Sequence, residues 1–371
     1  MSKDDFDVLA NKIRAIYAEV VGDDFRTEIL THTVLKERME ETNSGKHAKQ
    51  QSSMLGHMDR LALLQKKKVF AEFGCGKGDL SNYVHAAVGD PSKFLLVDRR
   101  NFRKKFDSAL RFTDNWQRLQ MDIKDLNLTM HPTANGSHLI AYSKHLCGAA
   151  TDLTLRCLGN FVKSSENHLE GVVIALCCHQ ICKHDIYINP EYLNEVGIGG
   201  EEFPLLCVIS TWATCGRRKP EADEQTTAGK ATPATEQKRG LFADSDEERE
   251  KVDEPPAKKQ KTEGLPADSD EGANEASEAA AEKEEKEDED RADEEGEPDH
   301  TTSGFDDTDQ QEGDHWSGLA FEERETLGFQ VKRIIDMGRA RYLESLGMKV
   351  DLVYYVDRAT SLENLLLLAS R

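Results

Sequence analysis

Seven consecutive residues, Glu72-Phe73-Gly74-Cys75-Gly76-Lys77-Gly78, join a carboxylate to three glycines at alternate positions. Glycines so spaced let a chain turn tightly and bring its backbone against a ligand. A dinucleotide site prefers G-x-G-x-x-G, with a pyrophosphate at the start of the following helix. Here the spacing is G-x-G-x-G and an acid precedes it. A carboxylate at Glu72 suits the cationic methionine end of S-adenosylmethionine and would repel a pyrophosphate. Two further acids extend the signal. Lys93–Asp98 and Arg118–Asp122 read as the second and third strands, so Asp98 is placed to accept both ribose hydroxyls and Asp122 to hold the adenine amino group. The competing readings are a glycine turn with solvated acids at the sheet edge, and an NAD site.

A second group of reactive side chains follows the next two apolar runs. Ser143-Lys144-His145-Leu146-Cys147-Gly148 comes after His138–Ser143, and Cys177-Cys178-His179-Gln180-Ile181-Cys182 comes after Gly171–Leu176. In open α/β sheets ligands lie in the crevice beyond the carboxyl ends of the strands. Lys144, His145 and His179 are therefore expected to face the transferable methyl. Cys177, Cys178 and Cys182 with His179 invite a zinc reading. Adjacent cysteines at a strand end are awkward tetrahedral ligands, however, and no second CxxC pair is near. The sequence reading is thiols lining the pocket, with no metal.

These loops need a scaffold. Val69–Phe73 is the first strand, and the five apolar runs alternate with helical stretches through Leu80, Tyr83 and Val84, over Asn101–Arg111 and over Ala150–Asn160. This alternation marks a parallel sheet buried on both faces. Val331–Leu346 reads as a long helix stopped by Gly347, and Met348–Tyr355 and Leu365–Ala369 as a closing pair of strands. The expected fold is a doubly wound, mostly parallel seven-stranded α/β sheet of the class I S-adenosylmethionine-dependent methyltransferase type. Residues 1–65 read as a helical lead-in, with apolar residues at helical spacing from Phe6 to Val20 and again from Met54 to Leu64. Residues 66–216 carry the first part of the core and 314–371 its closing helix and strands.

Between them, residues 217–313 hold 33 Asp and Glu against 14 Lys and Arg, or about −19 of the chain's total charge of −21. The remainder, with 36 acids and 34 bases, is balanced, so the acidic total says nothing against a nucleic-acid partner. The insert has too little apolar content to offset its ordering entropy and reads as disordered. Within it, Lys258-Lys259-Gln260-Lys261 after two prolines is a candidate nuclear-import signal, giving nucleus and/or cytoplasm as the expected location. Eight cysteines without a signal peptide or a membrane-spanning run point to a reducing compartment and no membrane.

A family resemblance follows from several blocks taken together. Lys46-His47 with Gln50-Gln51, the Glu72–Gly78 loop, Ser143–Gly148 with Ala150-Thr151-Asp152-Leu153, Ala175–His179, Ser210-Thr211-Trp212-Ala213-Thr214 and Ser361-Leu362-Glu363-Asn364 carry it. Over roughly residues 45–216 and 316–371 the chain resembles the eukaryotic tRNA methyltransferases that modify the ribose 2'-hydroxyl of the fourth acceptor-stem nucleotide. The resemblance implies S-adenosylmethionine as cofactor and tRNA as partner. Two departures matter. Family members begin with small zinc modules that this sequence does not show, which leaves room for a protein partner supplying RNA affinity. The family's second histidine after Cys177-Cys178 is Gln180 here, which puts the weight on His179.

A ribose 2'-hydroxyl is a weak nucleophile and needs a base, or a cation to stabilise the emerging alkoxide. Lys144 is the leading candidate, with His145 and His179 as rivals. The alternatives are a phosphate contact for Lys144 and structural roles for the histidines. Arg99, Arg100, Arg103, Lys104 and Lys105 form one basic cluster. Lys332, Arg333, Arg339 and Arg341 form another on the late helix. Both are candidate grips on duplex phosphates and 2'-hydroxyls, against the reading of solvated helix faces. No N-P-P-[YF] signature follows the fourth strand, which weighs against methylation of a base amino group. Two other functions fit the same residues: a methyltransferase acting on protein or a small molecule, and a catalytically silent tRNA-binding module.

Because closure entropy grows slowly with loop length, replacing residues 217–313 with a short Gly/Ser linker is expected to leave a soluble chain that still binds S-adenosylmethionine. Insoluble protein, or protein that no longer binds it by calorimetry, would give the insert a structural role.

Overall fold

The computed structural model of the chain describes residues 2–40, 45–100, 115–214 and 315–371. The expected insert (217–313), the import signal and the expected helix Asn101–Arg111 fall outside these residues. Seven strands form one sheet: β1 (Val69–Phe73), β2 (Lys93–Asp98), β3 (Trp116–Gln120), β4 (His138–Ser143), β5 (His168–Leu176), β6 (Lys349–Tyr354) and β7 (Leu365–Ser370). Their spatial order is β3-β2-β1-β4-β5-β7-β6. The first five are parallel, and β7 runs antiparallel between β5 and β6. This is the doubly wound, class I arrangement that the alternating pattern predicts.

β7 is interior because Leu365, Leu366, Leu367 and Leu368 are all buried and leave no face for solvent. β6 takes the edge, where Lys349 is exposed and Asp351 half-buried, the polar residues that suit an unpaired strand edge. Alternate side chains of β1 feed two cores. Val69, Ala71 and Phe73 pack beneath α5 (Ala149–Phe161) with Leu155 and Leu158. Phe70 points the other way, onto Met54, Leu55 and Met58 of α3 (Gly45–Arg60) and Leu80 and Val84 of α4 (Asp79–Val88).

A third core stands beside the sheet, and the sequence patterns do not announce it. Phe6, Leu9 and Ile13 of α1 (Lys3–Ile16) meet Tyr192 and Leu193 of α6 (Pro190–Glu195). Phe203 and Leu206 of α7 (Phe203–Ser210), with Val331, Ile334 and Ile335 of α8 (Phe321–Ser345), complete it. A short helix, α2 (Lys36–Glu40), precedes α3. The N-terminal helices thus belong to the same compact body as the sheet. α8 also begins ten residues earlier than its apolar pattern indicates.

Three of the four residues of the late basic cluster are buried, while Arg341 is part-exposed and paired with Glu195 at 3.3 Å. Arg333 and Arg339 are 3% and 0% exposed, and Lys332 is 1% exposed and paired with Glu363. The Arg339 guanidinium donates to both oxygens of Asp152, at 2.7 and 3.2 Å, to Asp336 at 3.3 Å and to the Gly148 carbonyl at 3.1 Å. Arg333 reaches Asp336 at 3.1 Å. His179, fully buried, places Nε2 2.7 Å from the same carboxylate. Arg333 and Arg339 are therefore not a phosphate grip, and His179 is not placed to meet a substrate hydroxyl. Their charges are spent inside the protein. Burial by itself would raise the Asp336 carboxyl, but His179, Arg333 and Arg339 outweigh it and hold the group at about 2.

This network ties α8 to the loops after β4 and β5. Arg339→Ala leaves Asp152 and part of Asp336 uncompensated in a dry interior and is expected to cost about 3–5 kcal/mol of unfolding free energy. Urea unfolding checks it, and a loss below about 1 kcal/mol would show that solvent reaches the network.

Candidate active site

The glycine loop lies at the carboxyl end of β1, where the sequence places it. Gly74, Gly76 and Gly78 all have positive φ, at +63°, +50° and +86°. At Gly74 space adds to the requirement: a Cβ there would stand 3.0 Å from the carbonyl oxygen of His145, so the loops after β1 and β4 meet only because the side chain is missing. A Cβ at Gly76 would meet nothing within 4 Å, which leaves that stretch of backbone open to a ligand.

The loop is held from below and from the side. Asp98, ending β2, accepts the Gly76 N–H on Oδ2 at 2.8 Å and the Arg100 N–H on Oδ1 at 2.8 Å. Each oxygen keeps a further lone pair for a ribose hydroxyl. Arg118 of β3 donates to the Gly76 carbonyl at 2.8 Å and to Cys75 Sγ at 3.2 Å. Its part in shaping the loop had no sequence signal. Glu72 is 3% exposed, and its Oε2 accepts the backbone N–H of Ser81 at 3.1 Å and, at shorter range, the Ser81 hydroxyl. The Glu72 carboxyl group therefore braces the start of α4 beneath the loop. Asp122 differs from its expected position. β3 ends at Gln120, and Asp122 caps the turn Ile123–Asp125 by accepting the Lys124 N–H at 3.1 Å. The strand stops earlier than its sequence suggests because Asp122 satisfies a turn instead of a ladder.

The loop after β4 is pulled to β1 by Ser143, whose hydroxyl donates to the Phe73 carbonyl at 2.6 Å. Lys144 follows, 8% exposed, with Nζ against Nδ1 of His47 near the start of α3. The rings of His47 and His145 stand edge to face with centroids 6.2 Å apart, and both residues are exposed. Lys144, His145 and His47 therefore gather beside the glycine loop, while His179 does not join them. Nothing local in the sequence points His47 to Lys144, because 97 residues separate them. Arg99 and Arg100 are exposed just beyond Asp98. Arg103, Lys104 and Lys105 lie outside the described residues.

The cysteines also rearrange relative to expectation. Cys182 turns into the buried network, where Arg339 lies 3.2 Å from its sulfur. Cys147, from the loop after β4, takes its place beside Cys177 and Cys178, and the three sulfurs lie within 4.8 Å of one another. Donation from the Cys177 and Cys178 thiols holds Cys147 well below the ordinary thiol range, and the same contact pushes Cys177 up.

A sheet of this order, with a glycine loop closing β1 and an acid ending β2, has the fold of the class I methyltransferases. The particular family is equally plain. The chain belongs to the TRM13 methyltransferases: the family model described as Methyltransferase TRM13 matches residues 49–370. Among relatives, the mouse "tRNA:m(4)X modification enzyme TRM13 homolog" is 29% identical over an alignment covering all of this chain and 74% of its own length. The human protein of the same name is 31% identical over 87% of this chain. The Schizosaccharomyces pombe "tRNA:m(4)X modification enzyme TRM13" is 30% identical over 92%. The chain spans 64% of the human relative's length and 72% of the yeast one's.

Burial raises Glu72 from its ordinary 4.5 to about 8, against the lowering effect of the two Ser81 donors. A raised folded value means the protonated form is the one that folding favours. Its stabilisation is complete below about pH 4.5 and is lost as pH rises to about 8. Glu72→Gln, neutral throughout, is expected to flatten the decline of stability across that window in urea titrations. An unchanged slope would show that Glu72 ionises freely in the native state.

Proposed function

We propose that this TRM13-family methyltransferase uses S-adenosylmethionine to methylate the ribose 2'-hydroxyl of nucleotide 4 in the tRNA acceptor stem. The observation that carries the reading is the placement of Lys144. It is a nearly buried amine at the carboxyl end of β4, held against His47 and adjoining the loop that contacts Gly74. The names of the relatives, which refer to tRNA and to a fourth position, support the choice of substrate.

S-adenosylmethionine, when bound, supplies a methyl group on a sulfonium, ready for in-line displacement. The chain's part is to bind, align and handle one proton. The backbone of Gly74, Gly76 and Gly78 with Asp98 would hold the cofactor, Asp98 accepting from its ribose. Glu72 acts through Ser81, keeping α4 and the loop in register. Lys144 takes the hydroxyl proton if its amine is neutral, or stabilises the developing alkoxide if charged, and His47 and His145 orient it. Holding oxygen and methyl in line is the larger source of rate, because an aligned pair needs no encounter.

The RNA would be gripped by Arg99 and Arg100 on one side and by the exposed Lys46 and Lys49 of α3 on the other, through phosphates and 2'-hydroxyls. A protein partner adding RNA affinity and a location in nucleus and/or cytoplasm belong to the same proposal. Among the described residues no helix is long and apolar enough to cross a membrane.

Incubation with total tRNA and labelled cofactor, followed by mapping of the modified nucleotide, tests the reading. Label on protein instead, or cofactor binding without any transfer, would overturn it. Lys144→Met is expected to lower turnover by roughly 100-fold or more while S-adenosylmethionine affinity barely moves. Asp98→Ala should do the reverse, weakening the cofactor by about 1.5–3 kcal/mol in calorimetry. If Lys144→Met raises only the KM for tRNA and leaves saturated turnover intact, Lys144 grips phosphate and the catalytic assignment fails.

A further inference from the structure

Two loops with no sequence proximity converge on one point between the ends of β4 and β5. Gly148 makes the approach possible. A Cβ on it would come within 2.8 Å of the Cys178 carbonyl oxygen and 2.4 Å of an Ile181 side-chain carbon, while its N–H donates to the Cys177 carbonyl at 3.3 Å. The backbones are thus in contact, and Cys147 is brought beside Cys177, sulfur to sulfur at 3.9 Å.

The second feature is a strained residue. Adjacent side chains on extended backbone point to opposite faces, which is why a Cys-Cys pair makes poor ligands for one ion. Cys178 escapes this by adopting left-handed geometry, φ 53° and ψ 45°. Non-glycine residues in that region cost on the order of 1–3 kcal/mol and persist where something else requires them. What this one achieves is that Cys147, Cys177 and Cys178 all fall within 4.8 Å of one another. Its backbone is further fixed by Glu363, which accepts the Cys178 N–H at 3.3 Å and is itself paired with Lys332.

The spacing suits an ion. Zinc–thiolate bonds of about 2.3 Å in a tetrahedron set neighbouring sulfurs about 3.8 Å apart, close to the Cys147–Cys177 separation. We propose that Cys147, Cys177 and Cys178 form a three-thiolate site for a soft divalent cation of the zinc class, tying the β4 and β5 loops together behind Lys144 and His145. Binding releases the thiol protons to solvent. Cys177 is buried while Cys147 and Cys178 are partly exposed, so the fourth position lies on the solvent side and is filled by water. The site serves to position the two loops, and it does not depend on which substrate is methylated.

The test uses the full chain, with neither tRNA nor cofactor. Protein produced with zinc and dialysed is expected to keep one equivalent by elemental analysis. Replacing the zinc with cobalt should give intense thiolate-to-cobalt absorption and the visible bands of a tetrahedral site. Cys147→Ser, Cys177→Ser and Cys178→Ser should each lose the ion, whereas Cys157→Ala, on the buried face of α5, should keep it. Substoichiometric zinc in chain shown to be folded by circular dichroism, or cobalt bound without thiolate bands, overturns the proposal. So does a Cys147–Cys177 disulfide recovered from chain purified with zinc and without air. The cobalt spectrum of the unaltered protein decides the matter even if the serine variants fail to fold.

Discussion

A single buried guanidinium holds the two parts of this chain together. Arg339 comes from the helix that follows the acidic segment, and it meets Asp152, 187 residues away, in a bidentate pair with no solvent access. Burying that many charges is expensive unless each is matched. Asp152, Asp336, Arg333 and His179 supply the matching, and the Gly148 carbonyl takes a remaining donor. The energetic consequence is rigidity more than strength. An incomplete version would be worse than an apolar core, so α8 and the loops after β4 and β5 must assume one relative position. That position is the one that sets Lys144 and Cys147 where they are.

The glycine loop obeys a similar economy of backbone groups. Gly76 has its N–H committed to Asp98 and its carbonyl to Arg118, and Gly74 and Cys75 both donate to the Val97 carbonyl. A loop with three positive φ values would otherwise be a mobile segment. Pinned at both groups of its middle glycine, it keeps an open backbone face ready for a ligand without ordering it on binding. Preorganisation of this kind lowers the entropy that binding must overcome, and an in-line displacement gains most from it.

The crevice also shows how a fold distributes polar residues of one type between opposite roles. Histidines 47, 145 and 179 all belong to blocks that invite a chemical reading. Two stand exposed beside Lys144, and the third is a fully buried donor to the Asp336 carboxylate. Cysteines divide the same way, with Cys182 against Arg339 and Cys147 drawn in from another loop. In each case the identity of the side chain left both roles open, and what packs over it chose between them.

Sequence alone determined what is written in short-range pattern. The strand and helix succession, the glycine turn after β1, the acid ending β2 and the reactive residues after β4 are each encoded within a few neighbouring positions. Tertiary structure decided everything that depends on a distant partner. Arg333 and Arg339 read as solvent-facing bases until Phe25 and Tyr354 of β6 close over the first, and Asp152 of α5 and Cys182 over the second, none of which leaves a mark in the α8 sequence. Asp122 reads from the sequence as the end of a strand over Arg118–Asp122, yet the extended chain stops at Gln120 and Asp122 caps the turn that follows. The pairs His47 with Lys144, Asp152 with Arg339 and Cys147 with Cys177 are separated by 97, 187 and 30 residues. Local periodicity carries no information over such separations, since only the assembled sheet with its helices brings those residues together.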